Sequence, residues 1–451
     1  MSLRRTSVGA AAVAVVAVFA SALGIDAAPA VETIPQGAVA SATAEYLEQP
    51  YDAVSVFQTG EITPAVRDAA LMAAATVNAP AVVTRGFTAP MIRLRRDTTV
   101  VQQSAGPGWA FPMAISALPF EAVGPVMGRD VAAVLAQHQL VMGATSASLR
   151  GAQVGDVVDF LGPGGGMVSF PIGRIGTDEE VGGTEFVMSF QMADFLGGTM
   201  ATRVLIYGQF DRGAVVNALT ASGLYSNPKV KIRHSWDPPD PDATLSMAAT
   251  KAVLGEFDIY YAGLSTLGWT SMSASWVQRF LPTIDSYPGG IRARCNVVIK
   301  ADLYAALQEV YASGLGGLID VGNVNSYGGC GTGSVRLARI TQSLGSVSRH
   351  SWGQPIDMNT TSNCQGCVPR MDCRIVRIFR THNFAWGGNF LTPDGMHFEW
   401  VGEPRNTLQF PSKYCQNTAD GRVQGIGAAA PPASGATQRA TLFADDGLVD
   451  E

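Results

Sequence analysis

The pattern of apolar and polar positions predicts a chain of mixed helices and strands. Residues 154–160 alternate apolar and polar side chains, as a half-buried strand does, and residues 204–207 form a short apolar run. Residues 64–77 are rich in alanine and residues 131–138 repeat apolar positions at helical spacing, so both predict helices. Residues 300–314 predict a further, amphipathic helix.

Two glycine- or proline-rich stretches interrupt this pattern. Residues 162–166 read Gly-Pro-Gly-Gly-Gly and predict a hairpin turn, because the Lys and Ser or Thr that end a phosphate-binding loop do not follow. Residues 237–242 combine three prolines with three aspartates, which predicts a stiff, exposed linker. We therefore place a domain boundary at this linker.

The predicted organisation has five segments, each with its own composition or pattern. They are a signal peptide or membrane anchor (1–30), an α+β accessory domain (31–240), a linker or transition (241–264), a C-terminal α+β domain (265–415) and a disordered tail (416–451). Nothing in residues 31–240 indicates what that domain does or which partner it has.

Composition narrows the class of protein. With 47% hydrophobic and 15% charged residues, the chain resembles folded globular proteins rather than disordered ones. Its 451 residues exceed what one core usually organises, which agrees with two domains. The net charge of −6 provides no positive surface for a phosphate backbone, so we expect no nucleic-acid partner.

The first residues have the pattern of a targeting segment. Arg4 and Arg5 precede an uncharged run over residues 6–25, and the small residues at 27–30 are suited to cleavage. This predicts a signal peptide. An uncleaved membrane anchor is the alternative, because the run is about long enough to span a bilayer. Both interpretations place the remainder outside the cytoplasm, secreted or in the cell envelope.

All six cysteines lie in the C-terminal half of the chain, at positions 295, 330, 364, 367, 373 and 415. An even number in an oxidising compartment predicts disulfides, whose connectivity the sequence does not give. Cys364-x-x-Cys367 also has the spacing of half a zinc site. Because no second pair follows at the usual spacing, we favour disulfides.

Two short motifs contain the candidate chemistry. In the first, His350 and Asp357 stand seven residues apart, and Gly353 and Pro355 between them predict a turn that leads into a strand. In the second, at residues 394–397, Asp-x-x-His places a carboxylate three residues before an imidazole.

These residue types fit a hydrolytic zinc site. Such a site needs three protein ligands and an open position, for which two neutral imidazoles and a carboxylate are suited. It also needs a carboxylate that is not a ligand, to accept a proton from the attacking water and return it to the leaving amine. We assign His350, Asp357 and His397 as the Zn²⁺ ligands and Asp394 as the base.

The pattern Ser-x-His-x-x-Gly-x-x-x-Asp, then Trp-Gly-Gly, then Asp-x-x-His-Phe-Glu resembles the zinc D-alanyl-D-alanine carboxypeptidases and L-alanyl-D-glutamate endopeptidases. The resemblance covers about residues 265–410. It implies an α+β fold like the zinc domain of hedgehog proteins, with a small antiparallel sheet carrying the site, and it implies the same ligands and base. One departure is Pro355, where the family usually has Ala.

Three further residues are assigned around the metal. Family members have Arg-x-x-Arg before the first motif, here Arg336 and Arg339, which the resemblance implies bind a substrate carboxylate or the oxyanion. Of the two arginines we prefer Arg336 for this role, and a solvated surface arginine is the alternative interpretation. Ser348 is a candidate nucleophile, but its place beside a ligand histidine favours a hydrogen-bonding support role.

Aromatic and polar side chains near the motifs are open to two interpretations. The tryptophans could line a substrate groove, although aromatic residues beside a motif more often belong to the core. His382, Asn383 and Glu399 are possible partners of the metal ligands. The tryptophans in question are Trp352, Trp386 and Trp400.

The family and the predicted export indicate peptidoglycan stem peptides as substrate. Asp rather than Glu in the second motif, preceded by Trp-Gly-Gly, favours the endopeptidase branch, and D-alanyl-D-alanine carboxypeptidase activity is the close alternative. A non-catalytic zinc module that binds wall or protein partners is the rival from another class. An intact Asp394 argues against that rival.

Overall fold

The structure, a computed structural model, describes residues 52–417 except 266, 267, 328, 332, 338–346, 406 and 409. The predicted signal peptide, Arg339 and nearly all of the predicted tail lie outside the described residues. We refer to residues 52–236 as the first region and to residues 237–417 as the second region.

The first region alternates strands and short helices. Its strands are β1 Asp52–Phe57, β2 Ala81–Arg96, β3 Thr99–Gln103, β4 Trp109–Leu118, β5 Leu140–Gly143, β6 Val157–Leu161, β7 Met167–Gly176, β8 Phe186–Ser189, β9 Ala201–Gly208 and β10 Lys231–His234. Its helices are α1 Pro64–Thr76, α2 Phe120–Met127, α3 Arg129–Ala136, α4 Ala144–Arg150, α5 Phe190–Phe195 and α6 Arg212–Ala221.

Six of these strands close into a ring of pairings. Around the ring, β2 pairs with β6, then follow β7, β5, β8 and β4, and β4 returns to β2. The ring can close because β2 is long enough to pair with several strands along its length: residues 81–85 pair with β9, 85–91 with β4 and 91–95 with β6. Large side chains such as Met91, Met113, Phe160, Phe170 and Phe186 form one buried cluster on these strands.

The structure confirms the helices, the strand and the turn that the sequence predicted in the first region. The alanine-rich segment forms α1, with proline at the start where its missing N–H costs nothing. The predicted strand and helix appear as β6 and α3. Residues 162–166 form the predicted hairpin turn, closed by the bond from Gly162 N to Gly166 O (2.8 Å) between β6 and β7.

The second region is built from shorter elements. Its strands are β11 Ile259–Tyr260, β12 Trp269–Thr270, β13 Asp285–Tyr287, β14 Ile291–Ala293, β15 Val335–Arg336, β16 Pro355–Asp357, β17 Phe384–Trp386 and β18 His397–Trp400. Its helices are α7 Met247–Leu254, α8 Ala274–Phe280, α9 Lys300–Ala312, α10 Val321–Tyr327 and α11 Cys373–Thr381. Short 3-10 turns lie at Tyr261–Gly263, Pro288–Gly290, Gly316–Leu318, Arg349–Trp352 and Gly387–Asn389.

A separate hydrophobic core holds the second region together. The predicted amphipathic helix forms α9 and buries Leu303, Leu307 and Val310 in this core. The small sheet of β16, β18 and β17 packs on it, with Ile356 and Phe398 completely buried. The mixed α+β class predicted for the chain is thus observed.

The segment 241–264, predicted as a linker, is folded into both regions. Its helix α7 buries Leu254 in the core of the second region, where Phe257 packs against Trp352 with ring centroids 4.5 Å apart. Its strand β11 pairs antiparallel with β4 of the first region, Ile259 opposite Ala110. The segment therefore joins the two regions through packing as well as through the chain.

The prediction that residues 237–242 are exposed is wrong. Asp240 and Asp242 are buried, because each has a cationic partner elsewhere. Asp240 pairs with Arg233, while Asp242 accepts bonds from both Nε and Nη2 of Arg380 at 2.8 and 2.5 Å. The local composition of this stretch suggested solvent, but its long-range ion pairs override that preference.

Buried charges also cross between the regions. Lys251 of α7 donates to Glu185 (2.7 Å) and to the carbonyl of Pro112 (2.5 Å), both in the first region. Arg150 contacts the same Glu185 at 2.8 Å and also pairs with Glu256. Two cations and two anions thus balance one another out of solvent, which fixes α7 against the first region.

The six cysteines form disulfides, as predicted. The pairs are Cys295–Cys330, Cys364–Cys367 and Cys373–Cys415. The first joins the segment after β14 to the loop that precedes β15, and the last ties the start of α11 to the C-terminal segment. Within the described residues, no helix has both the length and the apolar character needed to cross a bilayer.

Candidate metal centre

The small sheet places two of the predicted ligands side by side. Asp357 ends β16 and His397 begins β18, and the two are direct partners in the antiparallel register. Pro355 takes the first position of β16, an edge strand, where its missing N–H is tolerated. The departure at Pro355 therefore leaves the pairing intact.

The third ligand arrives from a 3-10 turn. His350 lies in the turn Arg349–Trp352, directly before β16, as the predicted turn and strand require. Nδ1 of His350 contacts the carbonyl of Cys330 at 2.8 Å, and because a carbonyl only accepts, this nitrogen carries the proton. Nε2 is then the nitrogen that faces Asp357. The disulfide of Cys330 with Cys295 secures the carbonyl that orients this ring.

The structure brings the three predicted side chains together. One ligand atom from each of His350, Asp357 and His397 lies within 4.8 Å of the other two. The two carboxylate oxygens of Asp357 lie 3.3 Å from Nε2 of His350 and 3.3 Å from Nδ1 of His397, and the two rings meet edge to face.

This arrangement fits a divalent metal such as zinc. Oδ1 of Asp357 is buried and accepts no hydrogen bond from any described residue, although Nδ1 of His397 is 3.3 Å away. Two imidazole nitrogens and one carboxylate directed at the same point form the donor set of catalytic zinc sites. The residues present therefore match the group that the sequence motifs imply.

Electrostatics at the cluster favour a cation. Burial opposes ionisation of Asp357, but the neighbouring His350 and His397 outweigh it, so the pKa of this carboxyl lies well below its ordinary value. Burial alone would lower the pKa of His350, yet Asp357 more than offsets this and raises it. Asp357 is therefore an anion at neutral pH, available to a metal ion.

Asp394 lies in the loop between the turn Gly387–Asn389 and β18. It is almost completely buried, its N–H donates to the carbonyl of Gly387 (2.9 Å), and its own carbonyl accepts from the N–H of His397 (3.3 Å). The approach to Gly387 is close, since a Cβ there would lie 2.7 Å from the Asp394 carbonyl oxygen and 3.1 Å from Cβ of His397. Glycine at 387 thus allows this loop to pack beside a metal ligand.

Two other segments of the molecule contact the Asp394 loop. In the turn closed by Cys364 and Cys367, Gly366 donates its N–H to the carbonyl of Pro393 at 2.7 Å. From the first region, the hydroxyl of Thr59 lies 3.1 Å from that of Thr392. The loop that carries the predicted base is therefore held from both regions.

Arg336 lies in β15, close to the first motif. Its carbonyl accepts from the N–H of Ser348 (2.9 Å), and its guanidinium lies 5.9 Å from the ring centre of Trp269. The Ser348 hydroxyl is buried and makes no hydrogen bond to any described residue. The substrate-binding role of Arg336 and the support role of Ser348 remain predictions.

The structure decides between the interpretations that the sequence left open for the aromatic and polar residues near the motifs. Trp352, Trp386 and Trp400 are buried core residues, so they do not line a groove. His382 and Asn383 turn away to α9, where they bond to Glu309 (2.7 Å) and Asp302 (2.8 Å). Of these three polar residues, Glu399 is the one whose side chain contacts a predicted metal ligand.

Sequence reasoning missed Gln354 and Arg349. Nε2 of Gln354 donates to Glu399 at 3.1 Å, and Nε of Arg349 lies 3.6 Å from the same oxygen. Both lie inside the first motif, Arg349 directly before His350 and Gln354 four residues after it, and polar character within the motif was the only signal. Their burial and their common partner are apparent only from the fold.

Comparison with known proteins identifies one segment. Residues 341–400, a small portion of the chain, match the family model described as D-alanyl-D-alanine carboxypeptidase. No curated protein matches the chain. Among solved structures, the chain is similar to the periplasmic region of MacB from Actinobacillus actinomycetemcomitans. That match has 10% identity and a TM-score of 0.24, covering 40% of this chain and 87% of that one, a likeness too weak to assign a fold.

The matched segment coincides with the geometric site. His350, Asp357, Asp394 and His397 all lie within residues 341–400. The family recognised from the motifs, that of the zinc D-alanyl-D-alanine carboxypeptidases, is thereby confirmed over the segment that contains the candidate metal centre.

Proposed function

We propose that this chain is an exported zinc peptidase that hydrolyses amide bonds in peptidoglycan stem peptides. The observation that carries the proposal is the convergence of His350, Asp357 and His397 on one point, inside the segment that matches a peptidase family. Export is supported by the N-terminal pattern and by three disulfides, which persist in oxidising compartments.

In this proposal His350, Asp357 and His397 hold the metal. When bound, zinc supplies Lewis-acid chemistry that polarises the scissile carbonyl and makes water acidic enough to attack near neutral pH. Asp394 accepts a proton from the attacking water and then transfers it to the departing amine. Arg336, next to the first motif, is suited to a carboxylate of the substrate.

The bond cut is proposed to be the L-alanyl-D-glutamate type, with D-alanyl-D-alanine as the close alternative. Aspartate at position 394 and Trp-Gly-Gly at 386–388 favour the endopeptidase branch, while the description of the matching family favours the carboxypeptidase. Mass spectrometry of muropeptides after incubation with the zinc-loaded protein separates the two. Release of a terminal D-alanine indicates the carboxypeptidase, and cleavage within the stem indicates the endopeptidase.

Replacing the base tests catalysis apart from metal binding. Asp394→Ala is expected to lower hydrolysis by about 10²–10⁴-fold, the usual contribution of general acid–base catalysis, while zinc stoichiometry stays at the wild-type level. Glu403→Ala, which removes an exposed carboxylate of the same region, is the control and should retain activity. Absence of hydrolysis of every wall peptide by the zinc-loaded wild type would overturn the peptidase and leave a zinc-containing binding module.

A further inference from the structure

A buried carboxylate lies behind one of the metal ligands. Glu399 follows His397 by two residues in β18, so both side chains project from the same face of the strand. Glu399 is fully buried, and its Oε2 lies 3.3 Å from Nε2 of His397. The opposite nitrogen of the ring, Nδ1, faces Asp357. The imidazole is thus held between a carboxylate on each side.

Glu399 is itself held in place. Its Oε1 accepts from Nε2 of Gln354 at 3.1 Å and lies 3.6 Å from Nε of Arg349. A buried carboxylate without a cation nearby would be strongly destabilising, so the buried Arg349 keeps Glu399 compatible with the interior.

Arg349 is anchored outside the motif, on the segment before the zinc-binding elements. Its Nη1 donates to the hydroxyl of Thr250 at 2.6 Å, and its Nη2 donates to the carbonyl of Leu245 at 2.5 Å. Thr250 belongs to α7, whose next residue, Lys251, bonds to Glu185 of the first region. A continuous series of buried polar contacts therefore leads from His397 through Glu399 and Arg349 to α7. We refer to His397, Glu399, Arg349 and Thr250 as the Glu399 relay.

We propose that Glu399 and Arg349 are positioning residues of the metal centre. Glu399 accepts a hydrogen bond from Nε2–H of His397 and so leaves the lone pair of Nδ1 facing Asp357, where it would hold the metal, while Arg349 fixes Glu399 to α7. A carboxylate behind a ligand imidazole sets its tautomer and orientation and increases its basicity. This inference rests on the metal site of the proposed function, but not on the identity of the substrate.

The test measures zinc affinity in the full chain by competition with a chromophoric chelator. Glu399→Gln keeps the shape of the side chain but removes its charge, and zinc binding is expected to weaken by about 10–100-fold. Arg349→Met should give a similar loss. The double variant should lose little more than either single one, because both act through the same imidazole.

A matched control lies in the same region. Glu309→Gln alters another histidine–glutamate contact, between Glu309 and His382 at 2.7 Å, which is not at the metal, and zinc affinity should be unchanged. Replacing zinc by cobalt adds a second measurement, the visible absorption spectrum, which a change in protein stability alone would not alter. The visible bands of the Co²⁺-loaded protein should shift in Glu399→Gln and stay in place in Glu309→Gln.

The outcomes separate this inference from the proposed function. Wild-type zinc affinity and an unshifted cobalt spectrum in a folded Glu399→Gln protein would overturn the positioning role while leaving the peptidase intact. If that variant does not fold, Thr250→Val takes its place: a several-fold loss of zinc affinity supports the relay, and wild-type affinity overturns it. A wild-type chain that binds no zinc would overturn the metal centre itself, and the relay with it.

Discussion

Asp159 in the first region and Asp357 in the second both face two nitrogen-bearing side chains, but their surroundings differ. Asp159 is fully buried, and its oxygens accept from Arg93 (2.6 Å), Arg95 (3.3 Å) and Ser169 (2.6 Å). Asp357 faces two imidazoles at 3.3 Å, and one of its oxygens accepts no hydrogen bond from the described residues. A carboxylate whose acceptor capacity is filled is structural, whereas one left open beside imidazoles is suited to a metal.

The two regions also differ in what stabilises them. The first region relies on long strands and a ring of pairings, and its described residues contain no disulfide. The second region has strands of two to four residues and three disulfides. Short elements supply few ladder hydrogen bonds, so the covalent links hold the loops that aim His350 and Asp394. The region with the candidate metal centre is therefore the one that depends more on such links.

The largest effect is expected from replacing the two aspartates compared above, Asp357 and Asp159. Asp357→Ala should abolish stoichiometric zinc binding and hydrolysis, because it removes a ligand and leaves two imidazoles. Asp159→Ala should lower the free energy of unfolding by about 3 kcal/mol, because it leaves two arginines near a buried site without their anion, yet zinc content should remain at wild type. Metal analysis and urea unfolding check both. Loss of zinc from folded Asp159→Ala would contradict the comparison.

Removing the longest-range disulfide of the second region should have the next largest effect. Cys373 and Cys415 are 42 residues apart, and replacing both by serine should lower the free energy of unfolding by about 4 kcal/mol. The same change at Cys364 and Cys367, only three residues apart, should cost about 2 kcal/mol. Equal losses, measured by urea unfolding, would show that loop length does not govern the stabilisation.

The contact between the regions can be weakened at Lys251. Lys251→Met leaves Glu185 and Glu256 with Arg150 as the cation of this buried cluster, and should lower the free energy of unfolding by about 3 kcal/mol. Val253→Met on the same helix changes an exposed side chain and should stay within about 0.5 kcal/mol of wild type. Differential scanning calorimetry should show whether the two regions then unfold separately; an unchanged single transition would contradict the role of Lys251 in joining them.

The smallest effect on stability is expected from replacing a glycine in each of the two regions by alanine. Gly387→Ala introduces a Cβ against the Asp394 carbonyl and should lower the free energy of unfolding by about 1–3 kcal/mol, with a fall in hydrolysis because the base loop shifts. Gly164→Ala, in the hairpin of the first region, meets no atom within 4 Å and should leave hydrolysis unchanged. Wild-type activity in Gly387→Ala would show that the loop tolerates the shift.

The sequence predicted the metal-site residues better than it predicted the segments that pack around them. The resemblance of the two motifs to a known family predicted that His350, Asp357 and His397 meet, and in the structure a turn before a three-residue strand and the register of one antiparallel pair determine their positions. The packing of residues 237–264 was not predictable, since Asp242 is buried by an arginine 138 residues away and β11 by a strand of the other region. Such partners leave no trace in the local pattern.

Strand β11 has a consequence for how such a chain can be inherited. A recombination breakpoint anywhere between Thr250 and Ile259 would separate two contacting pairs. Thr250 would be parted from Arg349, and β11 would be parted from β4. A gene fusion at that position would give a candidate metal centre without the Thr250 contact, or a sheet of the first region without its edge strand β11. The two regions are therefore expected to be inherited together.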